Sequence, residues 1–256
     1  MNPRARLAAL GAAAALVGAA SAACDRGNDP LPEPPPGAPL AYVALGDSYP
    51  AGGGPVAGES YVDHYEELIE QRSGTDVEVS DLAVSGATTA DLLAAISSPD
   101  ARAALERAHL VTITIGGNDF LQTAGTCSAL PCYEALLGEI EKRLDEVAMR
   151  VRSEAPDALI LMTNYPDPVA GNPAALAFLG YGSFDVAREI STRSSDLVCS
   201  VAERHDITCV DVHAAFNGPD GDRSASDEGL MADDIIHPSD KGHRVIAGLL
   251  CDIACG

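Results

Sequence analysis

The chain predicts an α/β protein in which helices cover both faces of a five-stranded parallel sheet. Three features carry this reading. Five short, largely apolar runs read as buried strands; longer stretches separate them; and those stretches are amphipathic with helical spacing.

Leu40 to Leu45 is the first such run and leads into Gly46. Tyr61 to Arg72 follows as a helix, then Val77 to Leu82 as a strand and Thr89 to Ile96 as a second helix. The third strand, Leu110 to Ile115, is rich in the β-branched residues that suit a pleated surface, with Val111, Thr112, Ile113, Thr114 and Ile115 in succession. Tyr133 to Glu154 is the longest helix. Its Leu136, Ile140, Leu144, Val147 and Val151 recur at three- and four-residue spacing and mark a buried stripe, which is core rather than a cofactor box. Ala158 to Thr163 is the fourth strand, Asp185 to Arg204 a helix, and Ile207 to Val210 the fifth strand. Pro238-Ser239-Asp240 then opens a last helix, Asp240 to Leu250. No internal repeat and no dinucleotide or P-loop glycine pattern interrupts this order.

Length leaves room for one domain with a large core, expected over residues 40–256 of the 256-residue chain. Residues 1–23 read as a secretory signal: Arg4 and Arg6 precede an uncharged Ala/Leu/Val run from Leu7 that ends in Ala20-Ser21-Ala22-Ala23. That run is short and weakly apolar for a retained membrane span. Residues 24–39 read as a stiff tether, because Pro30, Pro32, Pro34, Pro35, Pro36 and Pro39 dominate them. Cys24 resembles the acylated cysteine of a bacterial lipoprotein, with Ser21 where that motif usually has an aliphatic residue. Lipid anchoring and simple release both remain open.

Setting Cys24 aside leaves six of the seven cysteines, in sequence-near pairs: Cys127 with Cys132, Cys199 with Cys209, and Cys251 with Cys255. Three local disulfides fit an oxidising compartment, although six cysteines permit many connectivities and proximity is the only guide. Neither their spacing nor any clustered histidine supports zinc. The formal charge of -22 makes nucleic acid a poor partner, and the acidic residues are scattered as on a solvated surface. Oligomeric state is not written in the sequence.

Three short islands carry the chemistry. Gly46-Asp47-Ser48 ends the first strand and turns through Tyr49-Pro50-Ala51 into Gly52, Gly53 and Gly54, so backbone can approach a substrate closely around a serine nucleophile. Gly116-Gly117-Asn118-Asp119 ends the third strand, where the Asn118 amide can donate to an oxyanion or merely form a turn. Asp234 precedes His237 by three residues, close enough for a tight turn to aim its carboxylate at the imidazole Nδ1; the adjacent Asp233 is the rival. His64, His109, His205, His213 and His243 have no companion motif and read as surface or packing residues. All these islands fall at strand carboxyl ends or beside the last helix, where ligands of open parallel sheets bind.

Together these residues resemble the GDSL, or SGNH, hydrolase family, over essentially Leu40 to Leu250. Gly46-Asp47-Ser48 is similar to its first block, with Tyr49 in place of the usual Leu, a replacement also found in secreted bacterial members. Asp81 to Thr89 looks like the second block and carries the oxyanion glycine over to Gly86; Gly116 to Asp119 matches the third, and Asp234 to Pro238 the fifth. The resemblance implies a flavodoxin-like three-layer αβα fold and ester hydrolysis without metal or cofactor. It implies Ser48, Asp234 and His237 as the catalytic set, and an oxyanion hole of the Ser48 and Gly86 amides with the Asn118 side chain.

The expected protein is a secreted or lipid-anchored serine esterase acting on small-molecule or lipid esters. An acyltransferase or deacetylase acting on cell-surface glycans would use the same residues. A non-catalytic cell-surface binding domain is the alternative from another class. Acyl choice is expected from the loop Pro166 to Gly182, with Phe178 and Leu179 as candidate wall residues or as plain helix packing.

Overall fold

The computed structural model describes residues 31–54, 58–123 and 126–255. The expected signal, Cys24 and the start of the tether lie outside the described residues.

Five parallel strands, β1 (Leu40–Gly46), β2 (Val77–Asp81), β3 (Leu110–Thr114), β4 (Leu159–Thr163) and β5 (Thr208–Val210), form one sheet in the order β2-β1-β3-β4-β5. Every expected strand is present, with ends shifted by a residue. The helices are α1 (Tyr61–Ser73), α2 (Thr89–Ala95), α3 (Pro99–Leu105), α4 (Gly117–Leu121), α5 (Leu130–Glu154), α6 (Pro173–Leu179), α7 (Phe184–Arg204), α8 (Val212–Asn217) and α9 (Asp240–Ala254). Of these α3, α4 and α8 are short helices that the sequence did not suggest, while α6 falls in the Pro166 to Gly182 segment, where helix packing was one of the two readings. The last of the expected helices runs four residues beyond Leu250.

Alternation along β1 separates the two cores, since successive side chains of a strand point to opposite faces. Val43 and Leu45 pack with Leu92 of α2, Leu105 of α3, Ile140 to Val151 of α5 and Val201 of α7. Tyr42 and Ala44 pack with Tyr65 and Ile69 of α1, Phe216 of α8 and Ile246 and Leu250 of α9. The result is three layers. The stripe read on α5 is buried at Ile140, Leu144, Val147 and Val151, with Leu136 partly covered.

All three sequence-near cysteine pairs are disulfides: Cys127–Cys132, Cys199–Cys209 and Cys251–Cys255.

The strand order places the site. From β1 the chain first adds β2 on one side and later β3 on the other, so connections diverge between β1 and β3 and leave a crevice at their carboxyl ends. Gly46 lies there against β3 with φ +144°, and a β-carbon on it would stand 2.0 Å from the Thr114 carbonyl oxygen. Only glycine allows that approach, and the Asp47 amide then donates to the same oxygen at 3.1 Å.

Candidate active site

Ser48 emerges from the turn after β1 at this crevice. Its Oγ lies 2.8 Å from His237 Nε2, and His237 Nδ1 lies 2.6 Å from Asp234 Oδ2. The two are separated by 189 residues in sequence, yet form one chain of hydrogen bonds. Because the carboxylate accepts a hydrogen bond from Nδ1–H, Nε2 is left to accept from the serine hydroxyl. Asp234 Oδ1 meanwhile accepts the backbone amides of His237 at 3.0 Å and Ile236 at 3.2 Å. Partial burial pushes the Asp234 carboxyl up, but these amides and the imidazole outweigh it and hold it below the ordinary carboxylate range. Asp233 makes no such contact with the ring; Asp234 does.

The Gly52 to Gly54 turn packs directly on this chain. A β-carbon on Gly53 would lie 2.9 Å from His237 Nε2 and from Ser48 Cβ, and one on Gly54 2.4 Å from His237 Cβ. Glycine here is a condition of the contact.

Asn118, at the start of α4, donates its side-chain amide to the Ala87 carbonyl at 2.9 Å. That bond joins it to the turn holding Gly86, whose φ of +85° suits glycine. One Asn118 Nδ2 hydrogen is used and the second remains. Asp119 fixes the same turn from behind, accepting the Thr89 amide at 2.9 Å and the Thr89 hydroxyl at 2.7 Å. Ser48, Asn118 and His237 all border one cleft; Gly86 is joined to it through Ala87.

The profile of the GDSL-like lipase/acylhydrolase family matches residues 44–245. The chain belongs to that family. It is therefore an ester-hydrolysing serine hydrolase. It is similar to Lipase 2 of Streptomyces coelicolor, with 31% identity over 215 residues that cover 71% of this chain and 72% of that protein. Among solved structures it resembles a lipase from a goat rumen metagenome, with TM-score 0.66 and 23% identity over 82% of this chain and 95% of that one. It also resembles a phospholipase A1 from Streptomyces albidoflavus, with TM-score 0.58 and 26% identity over 83% of this chain and 98% of that one.

This GDSL-type hydrolase carries further site residues that sequence reasoning passed over. Asp47 is 1% exposed, and its carboxylate accepts the Tyr165 hydroxyl at 2.5 Å and the Tyr49 amide at 3.1 Å. Burial lifts its pKa to about 6 against those hydrogen bonds. Tyr165 follows β4, so the rule that pointed to the ends of β1 and β3 points to it as well. His243, read as a packing residue, is fully buried and supports the glycine turn. Its Nδ1 accepts the Tyr61 amide at 3.0 Å, which leaves Nε2 to donate to the Gly53 carbonyl at 3.2 Å. Burial above all lowers its pKa to about 4, so the ring stays neutral.

The cleft encloses about 880 Å3, mouth included. Phe120 and Leu121 of α4, Tyr133 of α5, Leu179 of α6 and Ala187 and Ile190 of α7 line it. Leu179 thus lines it, as expected. Phe178 does not: it is 61% exposed, because one residue along a helix turns the side chain by about 100°.

Proposed function

We propose that the protein is an exported carboxylesterase of lipid-like esters that works through an acyl-serine intermediate on Ser48. The observation that carries the reading is the unbroken chain from Ser48 Oγ to His237 at 2.8 Å and on to Asp234 at 2.6 Å. His237 Nε2 takes the hydroxyl proton as Oγ bonds to the ester carbonyl carbon. Asp234 holds the ring's tautomer and stabilises the imidazolium. The negative charge gathers on the carbonyl oxygen, facing the Ser48 and Gly86 amides and the second Asn118 Nδ2 hydrogen. Collapse breaks the bond to the alcohol, which leaves with the proton from His237. Water then repeats the sequence on the acyl-serine and frees the acid.

The cleft supports an uncharged acyl chain as the part held. Its lining is mainly apolar and, among the described residues, contains no Lys or Arg, so no fixed cation there offsets the desolvation of an anionic group. Similarity to a lipase and a phospholipase agrees with this choice. The three disulfides support export.

A series of p-nitrophenyl esters of graded acyl length, run beside Ser48→Ala and a fluorophosphonate probe, tests the reading. The parent protein is labelled, and kcat/KM climbs from acetyl toward medium chains by up to about fourfold per buried methylene. Ser48→Ala is unlabelled and loses roughly 10^4-fold or more in kcat. A polar residue at Leu179 shifts the acyl profile and one at Phe178 leaves it alone. Retained turnover in Ser48→Ala would dismiss the nucleophile, and a length profile flat in every variant would dismiss the acyl cleft.

A further inference from the structure

Two described non-glycine residues have positive φ, Asp206 at +52° and Ile235 at +77°. Asp tolerates the left-handed region, but a β-branched side chain there is strained, and such strain persists only where surroundings over-determine it. Ile235 stands between Asp234 and His237, inside the link that aims the carboxylate at the imidazole. The bonds within that link are local. Ile235 donates to the Ala232 carbonyl at 3.0 Å, Ala232 donates to the His237 carbonyl at 2.8 Å, and Asp234 takes the next two amides.

From outside, Ile235 and Ile236 pack on the Val169, Ala175, Leu179 and Ala187 cluster, and the hydrogen bond comes from Tyr49. Its hydroxyl donates to the Ile236 carbonyl at 2.9 Å, across 187 residues of sequence. Its ring lies 6.2 Å from that of His237 and meets Tyr165 edge-on at 5.0 Å, while its own amide is bonded to Asp47. Tyr165 closes the figure by donating to the other oxygen of Asp47. The residue directly after the nucleophile is thereby bonded to the residue directly before the base. Burial, then the nearby Asp47 and Asp234 charges, push the Tyr49 phenol well up, so the donor is present at every working pH.

We infer that Tyr49 is a positioning residue whose hydroxyl holds the strained Asp234–His237 link in register with Ser48. The inference rests on reading Ser48, His237 and Asp234 as the reacting set, and goes beyond it by assigning a role to the position where this chain departs from the family's usual Leu. A leucine there offers no donor, so a chain that carries one must hold the link by other means.

Tyr49→Phe keeps the ring and deletes the donor. With a medium-chain ester its kcat falls about tenfold while KM stays within about twofold, since the loss is of alignment and not of contact area. The downfield proton resonance of the His237–Asp234 hydrogen bond shifts or broadens in the same variant, which a general loss of stability would not cause while the protein remains folded. Adding Ile235→Gly, which accepts φ +77° without strain, restores at least about half of the lost kcat. A Tyr49→Phe protein with parental kcat and an unmoved resonance overturns the inference, and so does an Ile235→Gly addition that restores nothing. Fluorophosphonate labelling of the parent separates the two levels. An unlabelled parent removes the reacting set and the brace together, whereas a labelled parent with an unimpaired variant removes the brace alone.

Discussion

Asp47 and His243 both sit behind the nucleophile turn with protonation preferences displaced by burial, in opposite senses. For Asp47 the folded value of about 6 lies above the ordinary aspartate value of 3.8. The folded state therefore favours the neutral acid, and this residue takes stability away as pH rises from about 4 through 6. His243, lowered from 6.5 to about 4, does the reverse: it costs nothing above 6.5 and takes stability away as pH falls toward 4. The two slopes oppose each other in one window, so the parent's curve alone conceals both. Asp47→Asn separates them. The difference in unfolding free energy between parent and variant should move in the variant's favour by about 3 kcal/mol between pH 4 and pH 7, the equivalent of roughly two pK units. Urea unfolding at each pH measures it, and a difference that stays constant across the window would show that Asp47 is not the displaced group. Neither residue's role could be read from sequence. Asp47 lay in plain sight in the first motif, but nothing there announced a tyrosine arriving from the end of β4, 118 residues away. His243 looked solitary because its partners are a backbone carbonyl and a backbone amide, which leave no side-chain signature.

Among the elements, α9 brings His243 to the site and fixes the loop that ends in His237. Ser239 caps it through the Gly242 amide, and the same serine's hydroxyl donates to the Gly229 carbonyl at 2.6 Å. Gly242 lies against the preceding loop so closely that a β-carbon would meet the Leu230 oxygen at 2.2 Å and Pro238 Cβ at 3.0 Å. Gly242→Ala cannot be absorbed by a side-chain rotation, since the nearer obstacle is backbone. It should cost about 2 to 3 kcal/mol and lower Tm by several degrees, despite the higher helix propensity of alanine. A thermal melt no lower than the parent's would show that α9 can shift without penalty. The long elements were legible because burial on both faces writes continuous apolar runs and burial on one face writes a helical stripe. α3, α4 and α8 were missed because, at five to seven residues each, they scarcely repeat a spacing, and none carries the Leu-Leu pair that marks α2 of similar length. α4 is the costly omission. Its opening glycines read as a turn, while the helix they begin carries both Asn118 and Asp119.

For the molecule as a whole, the charge of -22 is the property that short-range contacts do not use up. Several arginines are already turned toward carboxylates, as Arg102 is to Glu154, Arg188 to Asp185 and Arg204 to Asp145, so they add little positive field of their own. Among the described residues, those that line the cleft include Asp47 and Asp167 and no Lys or Arg. An esterase of this kind meets its substrate either free in water or in an assembly of lipids, and the field acts on the second case. Vesicles rich in anionic lipid should repel the protein, whereas zwitterionic vesicles of the same acyl composition should not. At an ionic strength near 0.01 M, where the Debye length is about 30 Å, turnover of a lipid ester should be slower in the anionic vesicles. Near 1 M the length shrinks to about 3 Å and the two rates should converge. Turnover of a soluble short-chain ester should scarcely respond, because a neutral molecule feels no net force from the field. Equal rates on both vesicle types at low salt would show that the surface facing the lipid is not governed by the net charge, and that the acid is distributed away from the mouth of the cleft.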